Sequence, residues 1–298
     1  MPGPENGHDA PAPTASPSVG PAAETPGSTE DPPGTGGWFG RPRADLLRAG
    51  AVSAAALAQI AGSPIGSALP GGRSVADVSD TYATVVTPAG WAFAIWGLIF
   101  AACLAYAVYQ ALPAQLERQV HRRVGWWLAA AFATNAGWEL VFPQEGSWLL
   151  VANVLIVVVV TTTAVALARL QRPEPTGLDR ALPTAAASLL LGWVTIATVA
   201  NVSVSGVYLG APTDSALANG AGIVALVAAA VVVLDVTLRL RVSAGPFAAA
   251  AAWGVLAVAD NEPPLPVELA AWVALAIIVV GVAAQVWRTR RVVRTLLA

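Results

Sequence analysis

Tryptophan and asparagine occur together in three apolar segments of the chain. The first segment contains Trp96, the second Asn135 and Trp138, and the third Trp193 and Asn201. On a helix, side chains three or eight positions apart lie on roughly one face. Counted along the segments, these residues also lie at similar depth. Indole rings stack on flat molecules, and amides fix polar edges. The pattern therefore predicts a pocket for a flat, mostly apolar ligand with a few polar edges.

A structural interpretation of the same residues stays open. A buried amide needs a hydrogen-bond partner, and Asn135 or Asn201 could find one on a neighbouring helix, which would only hold the helices together. Other tryptophans, among them Trp148 and Trp287, stand at the ends of apolar segments. That position is typical of the aromatic belt at a membrane surface.

Two acidic residues lie within or beside apolar segments. Glu139 directly follows Trp138, and Asp235 stands four residues before Arg239. An ionisable group inside a membrane commonly serves proton or solute movement. The simpler alternatives are a helical ion pair between Asp235 and Arg239 and a carboxylate of Glu139 that reaches the membrane rim.

The composition identifies lipid as the main solvent of this chain. Hydrophobic residues make up 56% of it and charged residues 11%, whereas a soluble domain carries roughly 25% charge. All sixteen basic residues are arginine. The absence of lysine excludes a retinal Schiff base and a Walker A loop.

The sequence indicates binding rather than catalysis. The single cysteine, Cys103, excludes an internal disulfide, and His8 and His121 offer no zinc-site spacing. We see no nucleophile–base pair. We therefore expect no metal and no resident cofactor, with a tetrapyrrole only as a ligand. We expect membrane lipid and a hydrophobic small molecule as partners, and no nucleic acid.

Eight apolar segments predict an all-α, polytopic membrane helix bundle. A membrane-spanning helix needs about 20 apolar residues, and the seventh segment is the shortest of the eight. The approximate limits of the segments are 48–69, 90–112, 124–142, 147–168, 184–206, 216–238, 245–259 and 266–287.

The arginines predict the orientation of the bundle. Fifteen of the sixteen lie before the first segment, in alternate loops, or after the last segment, and only Arg73 lies in the intervening loops. The positive-inside rule places the arginine-rich side in the cytoplasm. We therefore expect a multi-pass protein of the cell membrane with both termini in the cytoplasm. Residues 1–42, rich in Pro, Gly, Ser and Thr, are predicted to form a disordered cytoplasmic tail.

Three motifs occur in order along the second, third and fifth segments. The second segment reads TPAGWAFAIWGLIF, in which a Pro-containing turn precedes the aromatic residues. The third contains Asn-x-x-Trp-x-x-x-Phe, and the fifth contains Trp-Val-x-x-Ala-Thr-x-x-Asn. The motif residues are Trp91, Phe93, Trp96, Phe100, Asn135, Trp138, Phe142, Trp193, Val194, Ala197, Thr198 and Asn201.

These motifs resemble those of the TspO/translocator protein (peripheral benzodiazepine receptor) family of tryptophan-rich sensory proteins. The resemblance implies a five-helix core over residues 43–209, followed here by a three-helix C-terminal membrane extension over 210–298. Two features depart from the family pattern. The spacing from Trp91 to Trp96 is one residue shorter, and Leu189 and Leu190 replace a Pro-Tyr pair.

The resemblance also implies a function. Members bind tetrapyrroles such as protoporphyrin, or sterol-like lipids, in a sensory or transport role and as homodimers. It implies a ligand-binding site formed by Trp91, Phe93, Trp96, Phe100, Asn135, Trp138, Phe142, Trp193, Thr198 and Asn201. Two alternatives stay open: a proton-coupled secondary transporter of a small solute that uses Glu139 and Asp235, and a regulatory protein whose tail recruits a partner.

Overall fold

A computed structural model describes residue 3 and residues 40–172 and 176–289 of the chain. The predicted tail over residues 1–42 therefore lies almost entirely outside the described residues. All regular secondary structure in the described part is helical, which confirms the predicted fold class.

Nine α-helices follow one another along the described chain. Two short 3-10 helices accompany them: Gly90–Ala94 leads into the third helix, and Phe142–Gln144 continues the fourth. The α-helices are α1 Arg43–Ala68, α2 Val75–Thr81, α3 Ile95–Ala111, α4 Gln119–Val141, α5 Trp148–Leu170, α6 Leu178–Tyr208, α7 Ala216–Arg239, α8 Ala244–Ala259 and α9 Leu265–Thr289.

Eight of these helices coincide with the eight predicted apolar segments, and the short α2 is the additional one. Six helical stretches of the described chain are long and apolar enough to cross a membrane: α1, α3 with its preceding 3-10 turn, α5, α6, α7 and α9. Helix α8 has sixteen residues, and α4 begins with the polar stretch QVHRR. The protein is thus a multi-pass membrane protein.

Glycines bring α1 and α4 into direct contact. A Cβ atom built on Gly66 would lie 2.5 Å from the backbone oxygen of Glu139, and one on Gly62 would lie 2.7 Å from the Glu139 Cβ. This four-residue spacing of small residues is typical of close helix packing in membranes. At the other end of the contact the side chain of Arg48 lies over Gly125. The two helices therefore run parallel.

The C-terminal helices pack on the rest of the bundle in the same manner. A Cβ atom on Gly192 of α6 would lie 2.2 Å from the backbone oxygen of Phe247 in α8. Gly254 of α8 lies against Ile196, and Gly281 of α9 lies against Leu234 of α7. Helix α8 is thus packed directly on α6, and α9 covers α7.

Buried ion pairs tie the helices together at one end of the bundle, which we call the arginine-rich end. Arg48, which is 1% exposed, donates to Asp45 Oδ1 at 2.7 Å and to the carbonyl oxygen of Leu116 at 2.6 Å. Arg122 donates from Nε to the same Asp45 oxygen at 2.9 Å. Arg118 pairs with Asp179 of α6. These contacts fix the starts of α1, α4 and α6 relative to one another.

Candidate ligand-binding cavity

An aromatic cavity lies at the opposite end of the bundle from the arginine-rich end. Its empty volume is about 580 Å³, within the range of ligand pockets, roughly 300–1,000 Å³. Helices α4, α6, α7 and α8 and the 3-10 helix before α3 form its walls, and α2 lies across its end.

Five aromatic rings form a continuous group along the cavity. The ring centroid of Trp96 lies 6.1 Å from that of Trp138 and 6.1 Å from that of Trp193. Trp138 stacks on Phe142 at 4.8 Å, and Phe93 meets Trp193 edge-on at 6.1 Å. Offset and edge-on pairs at these distances are the favoured aromatic geometries. The cavity wall is therefore a rigid aromatic surface drawn from α3, α4 and α6.

The structure brings most of the predicted site residues to this cavity. Its lining includes Phe93, Trp96, Trp138, Phe142, Trp193 and Asn201.

The other four predicted residues lie outside the lining. Phe100 stacks on Trp96 from outside the lining, at 5.3 Å. The Asn135 amide donates to Gln59 Oε1 at 3.2 Å, and Thr198 donates back to the carbonyl oxygen of Val194 at 2.6 Å. Trp91 stands at the membrane end of the 3-10 helix and donates to Asp260 Oδ2 at 2.8 Å. A role for these four in ligand binding stays a prediction.

Asn201 holds the cavity wall together through its amide. Its Oδ1 accepts a hydrogen bond from Trp138 Nε1 at 2.9 Å, and its Nδ2 donates to Asn153 Oδ1 on α5. Asn153 in turn donates to Ser205 Oγ at 2.8 Å. Both ends of the Asn201 amide are therefore bonded to neighbouring helices, as the structural interpretation of this residue proposes. The network also fixes the Trp138 ring.

Helix α2 covers the end of the cavity. Val75 and Ser79 of this helix line the cavity from above. Ser74 caps α2 by accepting the backbone N–H of Asp77 at 3.0 Å. Hydrogen bonding to Ser74 lowers the pKa of the Asp77 carboxyl below its ordinary value, so this carboxylate at the start of α2 stays charged, which suits a helix N-terminus.

Contacts on both sides hold this cover in place. On one side the Arg73 backbone N–H donates to the Pro143 oxygen at 3.1 Å, and its side chain pairs with Glu145 at 3.2 Å. On the other side the Asn261 amide donates to the carbonyl oxygen of Thr87 at 3.0 Å. The segment between α1 and α3 is thus bound both to the end of α4 and to the loop between α8 and α9.

The C-terminal helices contribute residues that sequence reasoning missed. Leu226 of α7 and Gly254 and Val258 of α8 line the cavity, as do Val86 and Pro88 of the segment before α3. These apolar residues carry no chemical signal of their own. The one indication in the sequence is Trp253 beside Gly254, and its indole donates to the carbonyl oxygen of Ala92 at 2.9 Å.

The two acidic residues differ sharply in their surroundings. Asp235 is exposed and accepts a hydrogen bond from Arg239 Nε at 2.7 Å, which agrees with the helical ion pair. Glu139 is 1% exposed and faces α1, where its carboxyl group contacts the hydroxyl group of Ser63. Its Oε1 atom has no hydrogen-bond partner among the described residues.

Comparison with known proteins identifies the family. A family model described as TSPO-like protein matches residues 51–284. The match continues past the motif-bearing helices and includes most of α7, α8 and α9. No curated protein matches the chain, and no solved structure does. Because the match covers far more than half of the sequence and includes every helix that lines the cavity, the chain belongs to the TSPO-like protein family.

Proposed function

We propose that this protein is an integral membrane receptor or carrier that binds a hydrophobic planar ligand in the tryptophan-lined cavity. A tetrapyrrole such as protoporphyrin, or a sterol-like lipid, fits that description. One observation carries the proposal. Trp138 and Trp193, from two different helices, both lie 6.1 Å from Trp96 on a third, around one apolar space. Membership of the TSPO-like family supports a sensory or transport role, and the resemblance implies a homodimer.

Ligand entry requires the aromatic rings to move. Two carbon atoms in contact are about 3.5–4.0 Å apart, so a flat molecule between two ring faces needs about 7 Å. The rings of Trp96 and Trp138 are 6.1 Å apart and tilted by 32°. A bound ligand therefore displaces at least one indole ring and changes its fluorescence.

A titration tests this proposal. The purified protein is titrated with protoporphyrin, haem and a sterol while its tryptophan fluorescence is recorded. We expect saturable quenching by at least one planar ligand at a stoichiometry of one per cavity. Quenching that rises linearly and equals that of free tryptophan in the same detergent would contradict the proposal.

The orientation of the chain is part of the proposal. We infer that both termini lie in the cytoplasm of a cell and that the cavity lies in the outer half of its membrane, because the arginines cluster at the other end. Reporter fusions at Ala298 and at Asp260 should then report opposite sides of the membrane. Reports from the same side would mean that α9 does not cross.

Glu139 favours a second candidate function, a proton-coupled carrier. An ionised carboxylate without a basic partner is costly inside a membrane, so such a group tends to hold a proton. No basic side chain contacts Glu139 in the described part of the chain. Its neighbour Trp138 lines the cavity, which would link proton binding to the ligand.

This candidate predicts that Glu139→Gln abolishes ligand accumulation driven by a pH gradient in proteoliposomes. Gln keeps the size of the side chain but cannot release a proton. Asp235→Asn is the matched control and should keep accumulation, because Asp235 is exposed and paired with Arg239. Equal accumulation by Glu139→Gln and the unmodified protein would exclude proton coupling through this residue.

A further inference from the structure

We infer that the ligand of this cavity is uncharged and carries hydrogen-bond acceptor atoms, which bond to the indole N–H groups of Trp96 and Trp193. This inference rests on the proposed function and specifies the chemical class of the ligand: a flat apolar body with carbonyl or ester oxygens.

Two buried donors in the cavity wall lack acceptors. The Nε1 atoms of Trp96 and Trp193 are inaccessible to solvent, and neither has a hydrogen-bond partner among the described residues. Both residues line the cavity, and Trp193 is 2% exposed. An indole nitrogen can only donate, and a buried donor in a native protein nearly always has a partner. An acceptor on a bound molecule would supply the missing partner.

Neighbouring indoles outside this pair do have partners. Trp138 donates to Asn201, Trp253 donates to the carbonyl oxygen of Ala92, and Trp91 donates to Asp260, all at 2.8–2.9 Å. The fold therefore places acceptors for the indole groups around the cavity. The two unpaired donors both belong to residues of the cavity wall itself.

The charge of the lining argues against an anionic ligand. None of the described residues that line the cavity is charged. The Asn201 amide is occupied by Trp138 and Asn153. The nearby pair of Arg73 and Glu145 is internally neutral, with 3.2 Å between its nitrogen and oxygen. A carboxylate placed in this space would lose its hydration without a counter-charge, whereas a ketone or ester oxygen accepts a hydrogen bond without that cost.

Three porphyrins with closely similar macrocycles separate these requirements. Protoporphyrin carries two carboxyl groups, its dimethyl ester carries neutral ester oxygens, and etioporphyrin carries only alkyl groups. Tryptophan quenching in detergent gives the affinity of each. We expect the dimethyl ester to bind most tightly. Trp96→Phe and Trp193→Phe, which keep an aromatic ring, should each weaken the ester by about fivefold, the effect of one hydrogen bond, and leave etioporphyrin unchanged.

Trp287→Phe is the control, because Trp287 is 77% exposed. Circular dichroism of each variant confirms its helical fold. Tightest binding of the dicarboxylic acid, equal binding of ester and etioporphyrin, or equal losses for all three porphyrins in the variants would each overturn the inference and leave the proposed function standing. If none of the three quenches saturably, the proposed function falls as well.

Discussion

Replacing Trp138 by alanine is expected to weaken porphyrin binding about tenfold or more. Trp138 lines the cavity, stacks on Phe142 at 4.8 Å and is held by Asn201. Stacking on an aromatic face contributes about 0.5–1.5 kcal/mol beyond the buried area. The lost burial adds to this, and 1.4 kcal/mol corresponds to about a factor of ten in affinity. Quenching of the remaining tryptophans by protoporphyrin measures the change.

Two further variants make this result interpretable. Trp287→Ala removes an exposed indole and should leave the affinity unchanged. Asn135→Ala should cost less than Trp138→Ala, because Asn135 faces Gln59 and not the cavity. A large-to-small change in a core costs roughly 3–5 kcal/mol of stability, so Trp138→Phe serves as a variant that keeps the ring. Equal affinities for Trp138→Ala and Trp287→Ala would exclude the cavity as the binding site.

Gly192→Ala is expected to destabilise the protein strongly and to disturb the cavity. The added Cβ would lie 2.2 Å from the Phe247 oxygen and 3.0 Å from the Ala250 Cβ, so α6 and α8 must separate. Overpacking of a tight contact costs roughly 1–3 kcal/mol. Trp193, the next residue, is part of the cavity wall. The midpoint of thermal unfolding in detergent measures the loss of stability.

Gly97→Ala is the matched control for this prediction. A Cβ at Gly97 in α3 would meet no atom within 4 Å, and alanine favours a helix over glycine by up to about 1 kcal/mol. Its unfolding midpoint should therefore stay the same or rise. If Gly192→Ala unfolds at the same temperature as Gly97→Ala, the direct packing of α8 on α6 is wrong, and so is the contribution of α8 to the cavity.

Depth and helical period explain which parts of the site the sequence predicts. Counting residues along apolar segments placed Trp96, Trp138 and Trp193 at similar depth, and the structure gathers them within 6.1 Å of Trp96. Length and hydropathy were sufficient to locate all eight long helices, because a membrane leaves few alternatives for an apolar segment of about 20 residues.

Helix rotation explains what the sequence could not predict. Positions three apart on a helix differ by about 60° around its axis, and this difference is sufficient to turn Asn135 towards α1 while Trp138 faces the cavity. Spacing alone does not say which of two neighbouring sectors meets the ligand. The apolar residues Leu226 and Val258 reach the cavity only because Gly192 lets α8 approach α6 and Gly222 lets α7 approach Val85. Such packing depends on the three-dimensional arrangement of helices.

Light-driven oxidation by a bound porphyrin tests the central claim most directly. Illuminated porphyrin oxidises the tryptophans beside it, and peptide mass spectrometry locates the modified residues. With less than one protoporphyrin dimethyl ester per protein, we expect Trp96, Trp138 and Trp193 to be oxidised first, although they are less exposed than Trp287. Oxidation that begins at Trp287 and the other exposed tryptophans, and leaves the three cavity residues intact, would contradict a ligand site in this cavity.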